Sequence, residues 1–299
     1  MTGSPVIDIR ELTKRFGSLT AVDSLDLHVD QGEIYGLLGP NGAGKTTTIR
    51  TLLGFLNPTH GHVELLGGNP RELTVRSRVG YVGGDVILDR GLKAGDLLNW
   101  YAALRGGVPQ GRIEDLCDRL ALDPSRKIGE LSTGNRQKVA IVQALMHEPE
   151  VLVLDEPTSG LDPLLQRSVL DLIRARRDAG TAVLYSSHLL PEVEDLADRV
   201  GILRRGVLVR EDTIANLRDI ARQRLELRFA RDVPAHLLSG IEGITDVEIV
   251  DRTAYIVADG SISELVKRVA EYDVDRIVSH HDDLEDVFFA YYQDGEDDR

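Results

Sequence analysis

Gly39-Pro40-Asn41-Gly42-Ala43-Gly44-Lys45-Thr46 fits the pattern G-x-x-x-x-G-K-[ST]. Glycines in these places let successive backbone N–H groups turn inward as an anion-binding nest. A helix starting here points its positive end at the same spot. Lys45 then reaches β and γ phosphates, and the Thr46 hydroxyl ligates Mg²⁺. This is nucleoside triphosphate chemistry, but the loop alone does not choose between a GTPase, a kinase, a helicase and a transport ATPase. Its plain competitor is a glycine-rich turn with Lys45 in solvent. A second group stands at Asp155-Glu156, where the aliphatic run Val151-Leu152-Val153-Leu154 ends in two carboxylates. Behind a phosphate loop, the first suits Mg²⁺ and the second suits orienting and deprotonating an attacking water. The competitor here is a solvated loop start, which four buried aliphatics argue against.

The elements that must position these groups are legible around them. Ile34 to Leu38 reads as a buried strand and Thr47 to Leu53 as a helix, which gives the strand–loop–helix context of a phosphate cradle. Val6 to Leu12 and the alternating Val22, Leu25, Leu27 and Val29 read as strands of a small antiparallel sheet, with a turn expected at Lys14 to Gly17. Gly61 to Leu66 and Arg78 to Val82 add two more strands. From about 89 to 148 the pattern turns helical. Leu97, Leu98, Tyr101 and Leu104 share one face, Ile113, Leu116 and Leu120 another, and Ser132 stands as an N-cap ahead of Val139, Val142 and Leu145. Val151 to Leu154 is apolar throughout, as in a central parallel strand. Pro163 opens a helix to about Asp178, and Thr181 to Tyr185, Val200 to Leu203 and Val207 to Arg210 follow as strands. After about Leu217 a separate α+β module is expected, with strands at 225–229, 247–250, 255–257 and ending at 277–278. Helices are expected at 261–269 and 284–292, with a frayed acidic tail at 294–298.

Composition narrows the classes. The net charge of −14 argues against a nucleic-acid surface. No run approaches the roughly 18 apolar residues of a membrane helix, and the first five residues lack the features of a signal peptide. A cytoplasmic location is expected, with any membrane role exercised through a partner. Cys117, the one cysteine, reads as packing, and His280-His281 and His60-x-His62 lack the grouping of a metal site.

Several linked motifs, in order from Val6 to about Leu217, resemble the ATP-binding subunit of an ABC transporter. Leu131-Ser132-Thr133-Gly134-Asn135 resembles the signature, commonly LSGGQ. Asp155-Glu156-Pro157-Thr158 and Ser159-Gly160-Leu161-Asp162 match the Walker B end and the D-loop, and Ser186-Ser187-His188 the switch histidine. The resemblance implies a P-loop ATPase core, a RecA-like parallel sheet plus a small antiparallel sheet, over residues 1–218. It carries a helical subdomain at about 89–148, with a C-terminal module at 219–299. It implies ATP and Mg²⁺, with Gly39, Pro40, Asn41, Gly42, Ala43, Gly44, Lys45, Thr46 and Thr47 around the phosphates. Phe16 resembles the adenine-stacking aromatic, and otherwise packs near the turn. Ser132 and Gly134 resemble the atoms that reach the γ-phosphate held by a second subunit, or else simply cap a helix. Asp162 resembles the carboxylate linking the two sites, or caps the helix at Pro163. Glu156, His188 and Lys45 carry the catalytic roles, and Thr46 and Asp155 the metal.

Thr133 and Asn135 depart from the commonest signature. Where the family's glutamine loop follows Val79 to Val82, this chain reads Gly83-Gly84-Asp85. Asp85 either reaches Mg²⁺ or water there, or is a turn residue. Asp283 to Phe288 looks like the "LEDVF" ending of exporter ATPases of the drug-resistance and natural-product group, which implies export through a separate membrane permease. The alternative is a non-transport ABC ATPase acting on a macromolecule, which usually carries two ATPase domains or a long coiled coil. Guanine recognition is disfavoured because no Asn-Lys-x-Asp occurs.

Overall fold

β1 (Ile7–Phe16) and β2 (Leu19–Val29) pair antiparallel, from Ile7 opposite Val29 to Phe16 opposite Leu19. Lys14 to Phe16 therefore belong to the strand, and the turn expected there narrows to Gly17-Ser18. A two-residue hairpin loop needs no more chain than that. The structure, a computed structural model, describes residues 5–281 apart from 221, 222, 233, 234, 239, 242, 259–261 and 271.

β3 (Ile34–Leu38) is buried at every residue and feeds through the glycine loop into α1 (Lys45–Leu52). β4 (His60–Leu65) returns to β1, completing a three-stranded sheet in the order β2-β1-β4. After α2 (Leu73–Arg76) and β5 (Val79–Val82) come three helices, α3 (Ala94–Leu104), α4 (Arg112–Arg119) and α5 (Thr133–Leu145). On α3 the buried residues are Ala94, Leu97, Leu98 and Ala102, with Tyr101 half-buried. Leu104, expected on the same face, is 64% exposed, because the helix ends there and its last turn goes uncovered. Leu116, Cys117 and Leu120 are buried as expected, and burial pushes the Cys117 thiol up to about 11, which leaves it an inert packing group.

β6 (Val151–Asp155), α6 (Pro163–Asp178), β7 (Ala182–Ser187), α7 (Leu190–Leu196), β8 (Arg199–Arg204) and β9 (Val207–Thr213) complete a six-stranded sheet in the order β5-β6-β7-β3-β8-β9. β5 with β6, β6 with β7, β7 with β3, and β3 with β8 all pair parallel. Helices between the strands bury both faces, so Val151 to Leu154 of β6 and Ala182 to Tyr185 of β7 read as continuous apolar runs rather than alternating ones. Ile7, Ile9, Leu25 and Leu27 of the antiparallel sheet share one core with Ile49 and Leu52 of α1 and with Leu37, Val153 and Leu184 of the parallel sheet.

The chain separates into two compact units, Met1–Glu211 and Asp212–Arg299. The second begins with the end of β9 and α8 (Ile214–Ile220). It contains β10 (Gln223–Phe229), β11 (Ile244–Val250), β12 (Thr253–Ala258), α9 (Ser263–Val269) and β13 (Val274–His281). Its sheet is antiparallel in the order β11-β12-β10-β13, over a core that includes Leu225, Leu227, Phe229, Ile256 and Leu265. The hairpin at Asp251-Arg252 forms as expected. The helix at 284–292, with its exporter-like motif, and the acidic tail lie outside the described residues. Among the described residues no helix is long and apolar enough to cross a membrane, and no three or more His, Cys, Asp and Glu side chains gather as a metal-ion cage.

One half-buried titratable group ties the helical section to the sheet. His147, just past α5, donates from Nε2 to the Val79 carbonyl at 3.2 Å. Burial, reinforced by the Arg105 and Arg176 guanidiniums, lowers its pKa from 6.5 to about 4. The folded protein therefore holds a neutral imidazole where the unfolded chain takes up a proton. The associated stability is complete above pH 6.5 and is lost as pH falls toward about 4. His147→Gln keeps a donor for Val79 and removes the titration. Urea unfolding of this variant should lose less stability over that pH window than the native chain, and equal losses would contradict the assignment.

Candidate active site

The glycine loop bends tightly because two of its residues have backbones open to glycine. Gly42 lies at φ 82° and Gly44 at φ 112°, and a Cβ on Gly44 would stand 2.6 Å from the Ala21 carbonyl oxygen. The loop is fixed from below by hydrogen bonds from Gly39 N to Ser187 O at 3.3 Å and from Gly206 N to Ala43 O at 2.8 Å. Gly39, Ala43 and Lys45 are buried, Gly44 and Thr47 half-buried, and Pro40, Asn41, Gly42 and Thr46 exposed. Lys45 curls back into its own loop. Its Nζ donates to Gly39 O at 2.5 Å and Pro40 O at 3.3 Å, and lies 3.4 Å from Glu156 Oε1. Burial lowers the Lys45 pKa, while the Glu156 and Asp155 carboxylates oppose that shift.

Both carboxylates leave the end of β6. Asp155 is 1% exposed. Its Oδ1 accepts a hydrogen bond from Ser186 Oγ at 2.6 Å, and its Oδ2 is buried with no hydrogen-bond partner. A buried carboxylate oxygen without a donor is expensive, and a hydrated cation satisfies it. The donor set therefore fits Mg²⁺, a hard ion that keeps several waters. The backbone beside it belongs to Gly84, where an added Cβ would lie 3.6 Å from Asp155 Oδ2, whereas the Asp85 side chain is exposed.

Glu156 sits in the left-handed region at φ 49°, an unfavourable conformation for a residue with a side chain. That turn sends its carboxylate toward an ammonium and an imidazole. Oε1 meets Lys45, and Oε2 lies 3.2 Å from His188 Nδ1. The structure thus gathers Lys45, Asp155, Glu156 and His188 at one edge of the sheet.

The other expected residues lie apart from this cluster. Ser132 is exposed and caps α5, accepting from Asn135 N at 3.2 Å. Gly134 packs on the loop ahead of α6, where a Cβ would come within 2.7 Å of Gly160 O. Asp162 caps α6 by accepting from Leu164 N and Leu165 N, each at 3.1 Å. Among the described residues no hydrogen bond joins the signature turn to the phosphate loop. Phe16 is 46% exposed at the end of β1, with Lys14 Nζ 4.8 Å from its ring centroid. The sequence reading passed over Glu192, whose carboxylate on α7 lies under the loop that follows Glu156. Its one local signal was position, four residues beyond His188.

Known proteins resemble this chain in sequence and in fold. The ABC transporter family pattern matches residues 22–159. The bacitracin transport ATP-binding protein BcrA of Enterococcus faecalis is 35% identical over 292 residues, covering 95% of this chain and 95% of that protein. The daunorubicin/doxorubicin resistance ATP-binding protein DrrA of Streptomyces peucetius is 36% identical over 260 residues, covering 83% and 79%. A solved ATP-binding subunit of an ABC transporter superposes with a TM-score of 0.66 at 28% identity, over 71% of this chain and 92% of that one. The dimeric MJ0796 cassette, a bacterial ABC transporter cassette, shares the fold with a TM-score of 0.64 at 22% identity, over 70% and 98%. With a nucleotide loop, paired carboxylates and a histidine assembled on this fold, and with relatives alike over nearly their whole length, the chain belongs to the ABC transporter ATP-binding proteins and is an ATP-binding, ATP-hydrolysing subunit of that family.

Proposed function

We propose that this subunit powers export through a separate membrane permease by closing and opening a dimer of two copies around ATP. The observation that carries the catalytic part is the place of Glu156, between Lys45 and His188 at the end of a buried strand. Lys45 exchanges its loop carbonyls and Glu156 for the β and γ phosphates. Freed of that pairing, Glu156 takes the proton of the attacking water. The water oxygen bonds to the γ-phosphorus, the bond to the β–γ bridging oxygen breaks, and ADP and phosphate result. His188, held by Glu156 before ATP arrives, turns to the γ-phosphate and steadies the water. Bound Mg²⁺ supplies charge neutralisation on the phosphates, with Thr46 and Asp155 as its holders and Asp85 as a solvent-facing carboxylate at the rim.

The signature turn supports the dimer. Ser132, exposed at the start of α5, and Gly134 offer a helix N-terminus to an anion held by another chain. Asp162 caps the helix beside that contact. Residues 1–218 act as the ATPase domain, with the helical subdomain at about 89–148, and 219–299 as an accessory module. The relatives named for bacitracin transport and for daunorubicin/doxorubicin resistance support drug-like or antibiotic cargo. The permease forms its path and holds the subunit at the inner face of the membrane. Nucleic acid has no part, in keeping with the charge of −14.

Glu156→Gln tests the base. Turnover should fall by about 10²–10⁴ while ATP binding persists. A rate within a few-fold of native would remove Glu156 from the chemistry. The exposed Phe16 ring gives adenine a flat face, with Lys14 beside it. Phe16→Ala should raise the ATP concentration for half-maximal turnover about ten-fold, the order expected for one stacked base, with saturated turnover nearly unchanged. An unchanged ATP dependence would leave Phe16 as packing.

A further inference from the structure

We propose that Glu192 is a positioning residue that fastens the loop after Glu156 to the strand end carrying His188, and so holds the two catalytic groups in register. It rests on the reading of Glu156 and His188 given above.

The carboxylate of Glu192 collects three hydroxyls from two places. Oε1 accepts from Thr158 Oγ1 at 2.7 Å. Oε2 accepts from Tyr185 OH and from Ser187 Oγ, both at 2.8 Å. Thr158 stands two residues after Glu156. Ser187 immediately precedes His188, and its Oγ in turn accepts from Leu189 N at 3.0 Å, so the histidine is bracketed on both sides. Thr158, Tyr185 and Ser187 are all buried.

An ionised carboxylate only accepts, so all three hydroxyls must donate to it and their orientations are set. Burial, then the charge of Glu192, raises the Tyr185 pKa far above its ordinary value, which keeps the phenol a donor. The same loop is held on its other side, where Gln137 Nε2 donates to Pro157 O at 3.0 Å. Immediately ahead of these two fastenings lies Glu156 at φ 49°, a conformation that persists only where its surroundings hold it. Releasing the Glu192 side lets the loop relax and moves the carboxylate off the line between Lys45 and His188. Among the described residues the side chains of this network make no hydrogen bond to the phosphate loop, which meets it only through the backbone, where Gly39 N donates to Ser187 O at 3.3 Å, so turnover rather than ATP affinity is what Glu192 controls.

The test uses the full-length chain and follows kcat and KM for ATP, with thermal unfolding alongside. Glu192→Ala, Glu192→Gln and Thr158→Val are each assayed alone, and Glu192→Ala also in a Glu156→Gln background. Glu192→Ala should lower kcat about 10–100-fold and leave KM within about two-fold. Thr158→Val, which keeps its shape, should lose about ten-fold in kcat. Glu192→Gln, which keeps one acceptor oxygen, should fall between the native chain and Glu192→Ala. In the Glu156→Gln background, Glu192→Ala should cost nothing further, because the group it positions is gone. If Glu192→Ala does not fold, Glu192→Gln and Thr158→Val decide the matter by the same split between kcat and KM. Native kcat in the Glu192 and Thr158 variants, or a loss carried equally by KM, would overturn the inference, as would a full additive loss in the Glu156→Gln background. Native turnover in Glu156→Gln alone would instead overturn the catalytic reading on which it rests.

Discussion

Parallel register among three strands is the constraint on which the rest depends. β3, β7 and β6 are hydrogen-bonded so that Leu38 lies opposite Ser187, and Asp155 opposite Ser186. The three strands therefore end at one level, and whatever follows each of them emerges at the same edge. After β3 comes the phosphate loop, after β6 the paired carboxylates, and after β7 the histidine. Residues more than a hundred positions apart become neighbours without any of them being individually steered. Carboxyl ends of parallel strands are where open α/β sheets bind ligands, and this edge has the groups to do it.

That edge is charged and partly dry, which gives its ion pairs their meaning. Lys45 is 5% exposed and would be costly there without its two carbonyls and Glu156. Glu156 in turn engages the only histidine on that edge among the described residues, His188. Lysine, glutamate and histidine thus satisfy one another, Glu156 being the partner of both. The loop between Glu156 and Asp162 also bears on a second contact, since Gly160 packs against Gly134 of the signature turn. On the function proposed above, movement of that loop is felt both at Glu156 and at the surface offered to another copy.

Much of this was legible in the sequence where the chemistry is local. The glycine loop, the aliphatic run ending in Asp155-Glu156, and the Ser132 and Asp162 caps are short patterns whose physics is confined to a few residues. Helix α6 begins at Pro163 and ends at Asp178, as expected from a proline in the first turn. Misreadings came where a neighbour, not the segment, decides. Lys14 to Phe16 look like a turn, yet pairing with β2 keeps them in the strand. Leu104 keeps the helical period but has nothing to pack against. Glu192 was invisible for the same reason. Its hydroxyl partners come from a strand and from a loop 34 residues away in sequence, and only the topology brings them together.

The central claim is that each ATP is enclosed between two copies of this chain, with the glutamate at β6 needed only for the chemical step. Native mass spectrometry of the Glu156→Gln chain saturated with Mg-ATP measures this most directly, because chains and nucleotides are counted in one species. The account predicts an assembly of two chains carrying two ATP, which dissociates when ADP replaces ATP. A single chain carrying one ATP, as the end point at saturation, would contradict it.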